Sequence, residues 1–166
     1  MSALVAGVQA PEIELQYLDG RKFSLKEARK QGPAVVAFFK VSCPVCQLAF
    51  PYLERIFKAY EKKGRFSFVG VSQDGASDTK AFNREFGVTF PALLDPSSKY
   101  PVSNAYGLTN VPTVFLISPD GEIEFSSVSW AKAEVEEMNR RLAAISGSAP
   151  AQIFEPGDRV PEFKPG

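Results

Sequence analysis

Short apolar runs alternate with longer amphipathic stretches along most of the chain. Residues 34–39 form an unbroken apolar run, which is typical of a strand that is buried on both faces. A second strand is predicted at 66–72, and the intervening segment 48–62 has the hydrophobic spacing of a helix. The three segments together predict a β-α-β unit with parallel strands.

Further elements are predicted on both sides of this unit. A hairpin at 13–17 and 21–23 turns at Asp19-Gly20, and Ser24 with Glu27 forms a capping box for a short helix. After the unit the pattern predicts a helix at 77–86, a short strand at 90–95, one or two helical turns at 100–106, strands at 113–118 and 122–128, and a helix at 131–144. This order predicts an α/β fold, with a mixed central β-sheet flanked by helices and an N-terminal β-hairpin extension.

The length of 166 residues predicts one folded domain, which we place at 1–145. Hydrophobic residues make up 45% of the chain and include 14 phenylalanines, enough for a core that needs no disulfide staples. From 146 to 166 the sequence becomes rich in proline and glycine and loses its periodicity. We therefore predict a C-terminal tail there.

Charge and hydropathy narrow the range of partners. Lysine and arginine equal aspartate and glutamate at 19 each, without a long basic run, so nucleic acid is not an expected partner. The sequence has neither a membrane span nor a signal peptide. We expect a monomer that is cytoplasmic as the chain stands, and periplasmic if a presequence or lipoprotein anchor has been omitted.

Histidine is absent from the sequence, which removes the commonest general base and the commonest metal ligand. Serine–histidine and cysteine–histidine catalysis are excluded, as is any zinc site that mixes cysteine with histidine. The two cysteines cannot complete an all-thiolate zinc site either, because such a site needs four sulfurs. We therefore expect neither a metal nor a small-molecule cofactor.

The only cysteines, Cys43 and Cys46, are separated by two residues and lie between the first apolar strand and its helix. If Cys43 opens the helix, the unsatisfied N–H groups and the helix dipole favour its thiolate. Pro44 fits an early helical position, where its missing N–H costs nothing. In a β-α-β setting this spacing indicates a redox-active pair, in which one sulfur attacks a disulfide and the other displaces it.

A second candidate position is Val111-Pro112, directly before an apolar strand. A cis peptide bond there would turn the Val111 backbone toward a substrate and offer strand-like hydrogen bonds to an extended peptide. A proline before a strand can also simply mark the start of the strand, and the residues alone leave that alternative open. With Cys43 and Cys46 as the redox pair, we predict a catalytic group of Cys43, Cys46 and Pro112, and we predict that Pro44, Val45 and Val111 bind substrate.

Several motifs together resemble the thioredoxin-fold redoxins, the group that holds the TlpA/ResA-like thiol–disulfide oxidoreductases and the AhpC/TSA peroxiredoxins. The resemblance runs from residue 7 to about 144 and implies a thioredoxin-like fold. It implies that Cys43 attacks, that Cys46 resolves, that Pro51 kinks the helix and that Pro112 is a cis-proline facing the disulfide. The matching motifs are Gly7 with Ala10-Pro11, residues 19–25, Phe38-Phe39 before the cysteine pair, Pro51, residues 70–74, and Val111-Pro112-Thr113 with Asp120-Gly121.

The chain departs from thioredoxins at two positions of this pattern. Ser42 stands where thioredoxins have tryptophan, and Ala37 stands where they have a buried aspartate. Without that aspartate another side chain or water must accept the proton of Cys46. The candidates are Asp74, Glu54 and Lys40.

The sequence thus predicts a thiol–disulfide oxidoreductase that acts on protein disulfides or dithiols and is reset by an upstream redox partner protein. A peroxiredoxin-like thiol peroxidase is the first alternative. Its family signature needs a threonine three residues before the peroxidatic cysteine, where this chain has Lys40 before Cys43 and Cys43 before Cys46. A non-enzymatic module that binds Cu(I) through both sulfurs is the second alternative.

Overall fold

The computed structural model describes residues 2–166, and within that range it contains nine strands and five α-helices. The strands are β1 (Glu14–Tyr17), β2 (Lys22–Ser24), β3 (Ala34–Phe39), β4 (Ser67–Ser72), β5 (Ala92–Leu94), β6 (Thr113–Ile117), β7 (Ile123–Val128), β8 (Trp130–Ala131) and β9 (Phe163–Lys164). The helices are α1 (Leu25–Ala28), α2 (Pro44–Tyr60), α3 (Ala76–Phe86), α4 (Pro101–Ala105) and α5 (Lys132–Ile145), and a 3₁₀ turn at Arg29–Gln31 follows α1.

Seven strands form one mixed sheet in the order β2-β1-β5-β4-β3-β6-β7. The central pairs β3–β4 and β4–β5 are parallel, whereas β1–β2, β1–β5, β3–β6 and β6–β7 are antiparallel. Strands β8 and β9 form a separate antiparallel pair. The predicted mixed central sheet and N-terminal hairpin are therefore confirmed, with β3 at the centre.

Both faces of the sheet are covered, which explains why β3 is apolar at every position. The side chains of Val35 and Phe39 belong to a core that includes residues of α2, α3 and α5. Those of Val36 and Phe38 belong to a second core on the opposite face, which includes residues of α1 and α4. The carboxyl end of β3 is thus held rigidly between two layers, and the cysteine motif follows it directly.

Aromatic rings fill the core around β4 at the one position where that strand has no side chain. A side-chain carbon added at Gly70 would lie 3.2 Å from the Phe39 ring and 3.3 Å from the Phe90 ring. Phe39 also packs against Phe50 of α2, with ring centroids 4.4 Å apart, and against Phe82 of α3 at 5.0 Å. The glycine gives these rings room, and the rings fix α2 and α3 against the sheet.

The last helix begins later than the sequence pattern predicts. The helix predicted at 131–144 starts at Lys132, because Trp130 and Ala131 form β8. The cause is a long-range pairing in which Trp130 is opposite Lys164 and Ala131 is opposite Phe163. The backbone before α5 is extended because the C-terminal segment pairs with it.

Residues 146–166, which we call the strap, pack against the domain. Ile153 is only 4% exposed. The Tyr60 hydroxyl of α2 donates to Asn139 Oδ1 of α5 (2.6 Å) and accepts from the Ala151 N–H of the strap (2.9 Å). Asn139 Nδ2 in turn donates to the Ala151 carbonyl oxygen (2.8 Å). One buried polar network therefore joins two helices and the strap.

None of the helices within residues 2–166 combines the length and the apolar character needed to cross a membrane.

Candidate active site

Cys43 caps the N-terminus of α2, the position that the sequence predicts for it. Its backbone is extended (φ −83°, ψ 115°), and its Sγ accepts a hydrogen bond from the Cys46 N–H at 3.3 Å. The Cys43 carbonyl oxygen accepts the first hydrogen bond of the helix, from the Gln47 N–H at 3.1 Å. The Cys43 sulfur thus takes the place of the side-chain oxygen that usually caps a helix N-terminus.

The two sulfurs differ sharply in their surroundings. Both cysteines are free, but Cys43 is half-buried whereas Cys46 is fully buried, with 0% of its surface exposed. Burial raises the pKa of the Cys46 thiol strongly; the Lys40 backbone opposes this shift, and the charges of Cys43 and Asp74 add to it. A substrate can therefore reach Cys43 first, and Cys46 has to lose a proton before it can attack.

Asp74 follows β4 at the same edge of the sheet as the cysteine motif, and its carboxylate contacts the loop before Cys43. Asp74 Oδ2 accepts a hydrogen bond from the Val41 N–H at 2.8 Å. Among the three candidate proton acceptors, Asp74 is the one whose side-chain charge acts on the Cys46 thiol.

The other two candidates are placed differently. The Glu54 carboxylate accepts hydrogen bonds from Thr89 N (2.8 Å), Thr89 Oγ1 (2.5 Å) and Phe90 N (3.3 Å), so it fastens α2 to the loop before β5. The Lys40 side chain is exposed, and Lys40 acts on Cys46 through its backbone. The Glu54 side chain therefore has a structural role, and the Lys40 side chain lies in solvent.

Removing the charge of Asp74 is expected to move the pH dependence of the Cys46 step to lower pH. The Asp74 carboxylate raises the pKa of Cys46, so an uncharged amide at that position lets Cys46 ionise more easily. The measurement is the pH profile of mixed-disulfide resolution in Asp74→Asn. Asp78→Asn, on the neighbouring α3, is the matched control and should leave the profile in place. A shift to higher pH, or equal shifts in both variants, would contradict this electrostatic role.

The Val111-Pro112 position lies against the first cysteine. The peptide bond between these residues is cis, and the Val111 carbonyl oxygen accepts a hydrogen bond from Cys43 Sγ at 3.4 Å. Pro112 is buried and Val111 is half-buried. The structure thus brings together Cys43, Cys46, Val111 and Pro112, which the sequence places 68 residues apart in two motifs.

The two residues between the cysteines point into different surroundings. Pro44 is exposed beside Cys43, where an incoming substrate can contact it. Val45 is only 4% exposed and belongs to the core beneath α2. The substrate contact predicted for Val45 stays a prediction, and helical geometry turns the Val45 side chain toward the core in this conformation.

Sequence reasoning missed the contact between the strap and Val111. Gly166 lies directly against the Val111 carbonyl group, and its backbone is held by Asn110 and Ser129. Of Gly166, Asn110 and Ser129, only Asn110 lies next to a predicted motif, Val111-Pro112. The sequence of the strap gives no sign that it contacts the cysteine site. The contact depends on the long-range pairing of β8 with β9.

Comparison with known proteins shows which family the chain belongs to. The family model described as AhpC/TSA matches residues 6–126. The chain is 32% identical to a protein named thiol-disulfide oxidoreductase ResA from Geobacillus thermodenitrificans, over 145 residues that cover 87% of this chain and 80% of the relative.

Solved structures agree on the architecture. A crystal structure described as a putative thiol:disulfide interchange protein DsbE from Chlorobium tepidum matches with a TM-score of 0.74 and 25% identity, over 87% of this chain and 100% of that one. A solution structure described as a putative protein disulfide isomerase from Bacteroides thetaiotaomicron matches in fold, with a TM-score of 0.78 and 21% identity over 89% and 96% of the two chains. The fold is thioredoxin-like, and the chain belongs to the AhpC/TSA family.

Proposed function

We infer that this chain is a thiol–disulfide oxidoreductase, which exchanges the dithiol and disulfide states of Cys43 and Cys46 with protein substrates. The observation that carries the inference is the asymmetry of the two sulfurs at the start of α2. An accessible Cys43 Sγ receives the Cys46 N–H, while the Cys46 thiol itself is fully buried. Relatives that bear the name of this activity support the inference.

In the reducing direction, the Cys43 thiolate attacks one sulfur of a substrate disulfide. A bond forms between Cys43 and that sulfur, and the other substrate sulfur leaves as a thiolate that takes up a proton. Cys46 then loses its proton and attacks Cys43 Sγ, which releases the second substrate sulfur. Two electrons have passed to the substrate, and Cys43 and Cys46 end as a disulfide. The oxidising direction is the reverse of these steps.

The surroundings of Cys43 suit a peptide substrate. The backbone of the half-buried Val111 lies beside the reacting sulfur, and Pro44, which follows Cys43 in the sequence, is exposed. Extended peptides bind edges of this kind through main-chain hydrogen bonds. We propose that Val111 positions the substrate backbone, that Pro112 shapes the site beneath it and that Pro44 contacts the substrate surface.

The cycle needs a second protein that returns the Cys43–Cys46 pair to its starting state. Thiol–disulfide exchange with that partner uses the same accessible sulfur, because Cys46 is buried. We propose that one surface around Cys43 serves both the substrate and this redox partner in turn, and that a monomer suffices for the reaction.

Catalysed reduction of a protein disulfide tests this function. With dithiothreitol as electron source, the protein is expected to accelerate the reduction of insulin disulfides, because Cys43 is held as an accessible nucleophile. The same reduced protein should react with hydrogen peroxide at the slow rate of an ordinary thiolate. Rapid peroxide consumption without insulin reduction would assign the chain to the peroxidase alternative instead.

A further inference from the structure

The end of the strap lies against the group that we assign to substrate binding. A side-chain carbon added at Gly166 would overlap the Val111 carbonyl oxygen, and it would lie 2.9 Å from the Val111 carbonyl carbon and 3.2 Å from Pro112 Cδ. Gly166 is therefore in close backbone contact with Val111, and only a residue without a side chain fits there in this arrangement.

Two hydrogen bonds hold Gly166 in that position. Its N–H donates to Ser129 Oγ at 3.0 Å, and its carbonyl oxygen accepts from Asn110 Nδ2 at 2.8 Å. Ser129 directly follows β7, and Asn110 directly precedes Val111. The end of the strap is thus bound from both sides of the Val111 edge.

The strap is fastened along the rest of its length as well. Trp130 Nε1 donates to the Pro161 carbonyl oxygen at 2.6 Å, and the Lys132 N–H donates to the Glu162 carbonyl oxygen at 2.9 Å. Nearer its start, Asp158 accepts from Arg55 of α2 at 2.6 Å. These contacts hold the segment before Gly166, so the contact at Val111 belongs to an ordered path of the chain.

The Val111 carbonyl oxygen therefore has little capacity left for a substrate. Gly166 covers this oxygen from the strap side, and as long as Cys43 is protonated its thiol also donates to the same oxygen. A substrate in extended conformation needs backbone groups of this kind to pair with it as an added strand. It can pair with the Val111 carbonyl oxygen only after the strap end has moved aside.

We propose that the strap end, residues 165–166, is a selectivity element of the active site, which hinders extended peptides at Val111 and leaves Cys43 open to small disulfides. The proposal rests on the thiol–disulfide exchange inferred above. Both hydrogen bonds of Gly166 are made by exposed or half-exposed side chains that water can satisfy when the end is released. The strap end is therefore a displaceable barrier.

The test compares two disulfides and two glycine variants. The reduced protein is mixed either with hydroxyethyl disulfide or with the disulfide-linked dimer of a short linear peptide that has one central cysteine. Gly166→Val is expected to displace the strap end, so that a peptide can make one more hydrogen bond, to the Val111 carbonyl oxygen. The peptide reaction should then be about fivefold faster, the usual effect of one net hydrogen bond, and the small-disulfide rate should not change. Gly157→Val, on an open part of the same strap with nothing within 4 Å, is the matched control and should change neither rate.

A second variant removes an anchor and leaves the glycine in place. Ser129→Ala deletes the acceptor of the Gly166 N–H. It should also accelerate the peptide reaction, by a smaller factor than Gly166→Val does. Equal peptide rates in wild type, Gly166→Val and Ser129→Ala, with small-disulfide exchange intact, would overturn the selectivity role. Absence of exchange with hydroxyethyl disulfide in the wild type would instead overturn the proposed function.

Discussion

Replacing Cys46 with serine is expected to leave the protein covalently joined to its substrates through Cys43. The first attack needs only the accessible Cys43 sulfur, whereas release needs a second sulfur one helical turn away. Serine is nearly the same size but does not displace a thiolate from a disulfide under these conditions. Mixed disulfides should accumulate, and non-reducing electrophoresis followed by mass spectrometry of the trapped proteins measures them.

Cys43→Ser is the matched control and should trap very little. Its remaining sulfur, Cys46, is fully buried, and burial raises the pKa of that thiol, so both access and thiolate content are low. We expect at least about a tenfold difference in trapped protein between the two variants, since exchange rates follow access and thiolate fraction. Similar trapping by both variants would contradict the roles assigned to the two sulfurs.

The second large effect is expected on stability, at Trp130. This side chain is 1% exposed and packs against Tyr52 of α2, with ring centroids 5.5 Å apart, while its N–H bonds the strap. Trp130→Ala removes a large buried ring and leaves the Pro161 carbonyl oxygen without its donor. The free energy of unfolding should fall by ~3–5 kcal/mol, the usual loss for a buried aromatic residue. Urea denaturation followed by circular dichroism measures it.

Two further variants separate the ring from its hydrogen bond and from the strap surface. Trp130→Phe keeps a ring in the cavity and should lose less stability than Trp130→Ala. Phe163→Ala changes an aromatic residue of the strap that is 61% exposed, and should change stability by less than about 0.5 kcal/mol. A loss at Phe163 as large as that at Trp130 would show that burial does not govern the strap's contribution.

The parts of this molecule that sequence reasoning predicts are those set by local rules. The apolar run of β3 requires burial on both faces, and two cores indeed receive its alternating side chains. The cysteine spacing and Pro44 predict a helix that begins at the motif, and α2 begins at Pro44. Capping, periodicity and turn chemistry operate over a few residues, so the sequence contains enough information to predict them.

The parts that it does not predict depend on contacts between distant residues. The sequence around Trp130 does not predict that it pairs as a strand, because its pairing partner, Lys164, lies in a two-residue strand of the strap. Val45 is adjacent to the reactive motif in sequence, but the orientation of α2 places its side chain in the core. The choice among Asp74, Glu54 and Lys40 likewise requires the loop positions, since only the folded chain shows that Glu54 is engaged by Thr89.

The position of Trp130 gives the protein a built-in optical reporter. It is the only tryptophan of the chain, and it contacts the strap through its N–H while its ring lies close to that of Phe154 of the strap. Detachment of the strap would expose the indole to water and shift its emission to longer wavelength. Ultraviolet fluorescence of the unlabelled protein can therefore follow how the strap responds when a peptide arrives at Val111.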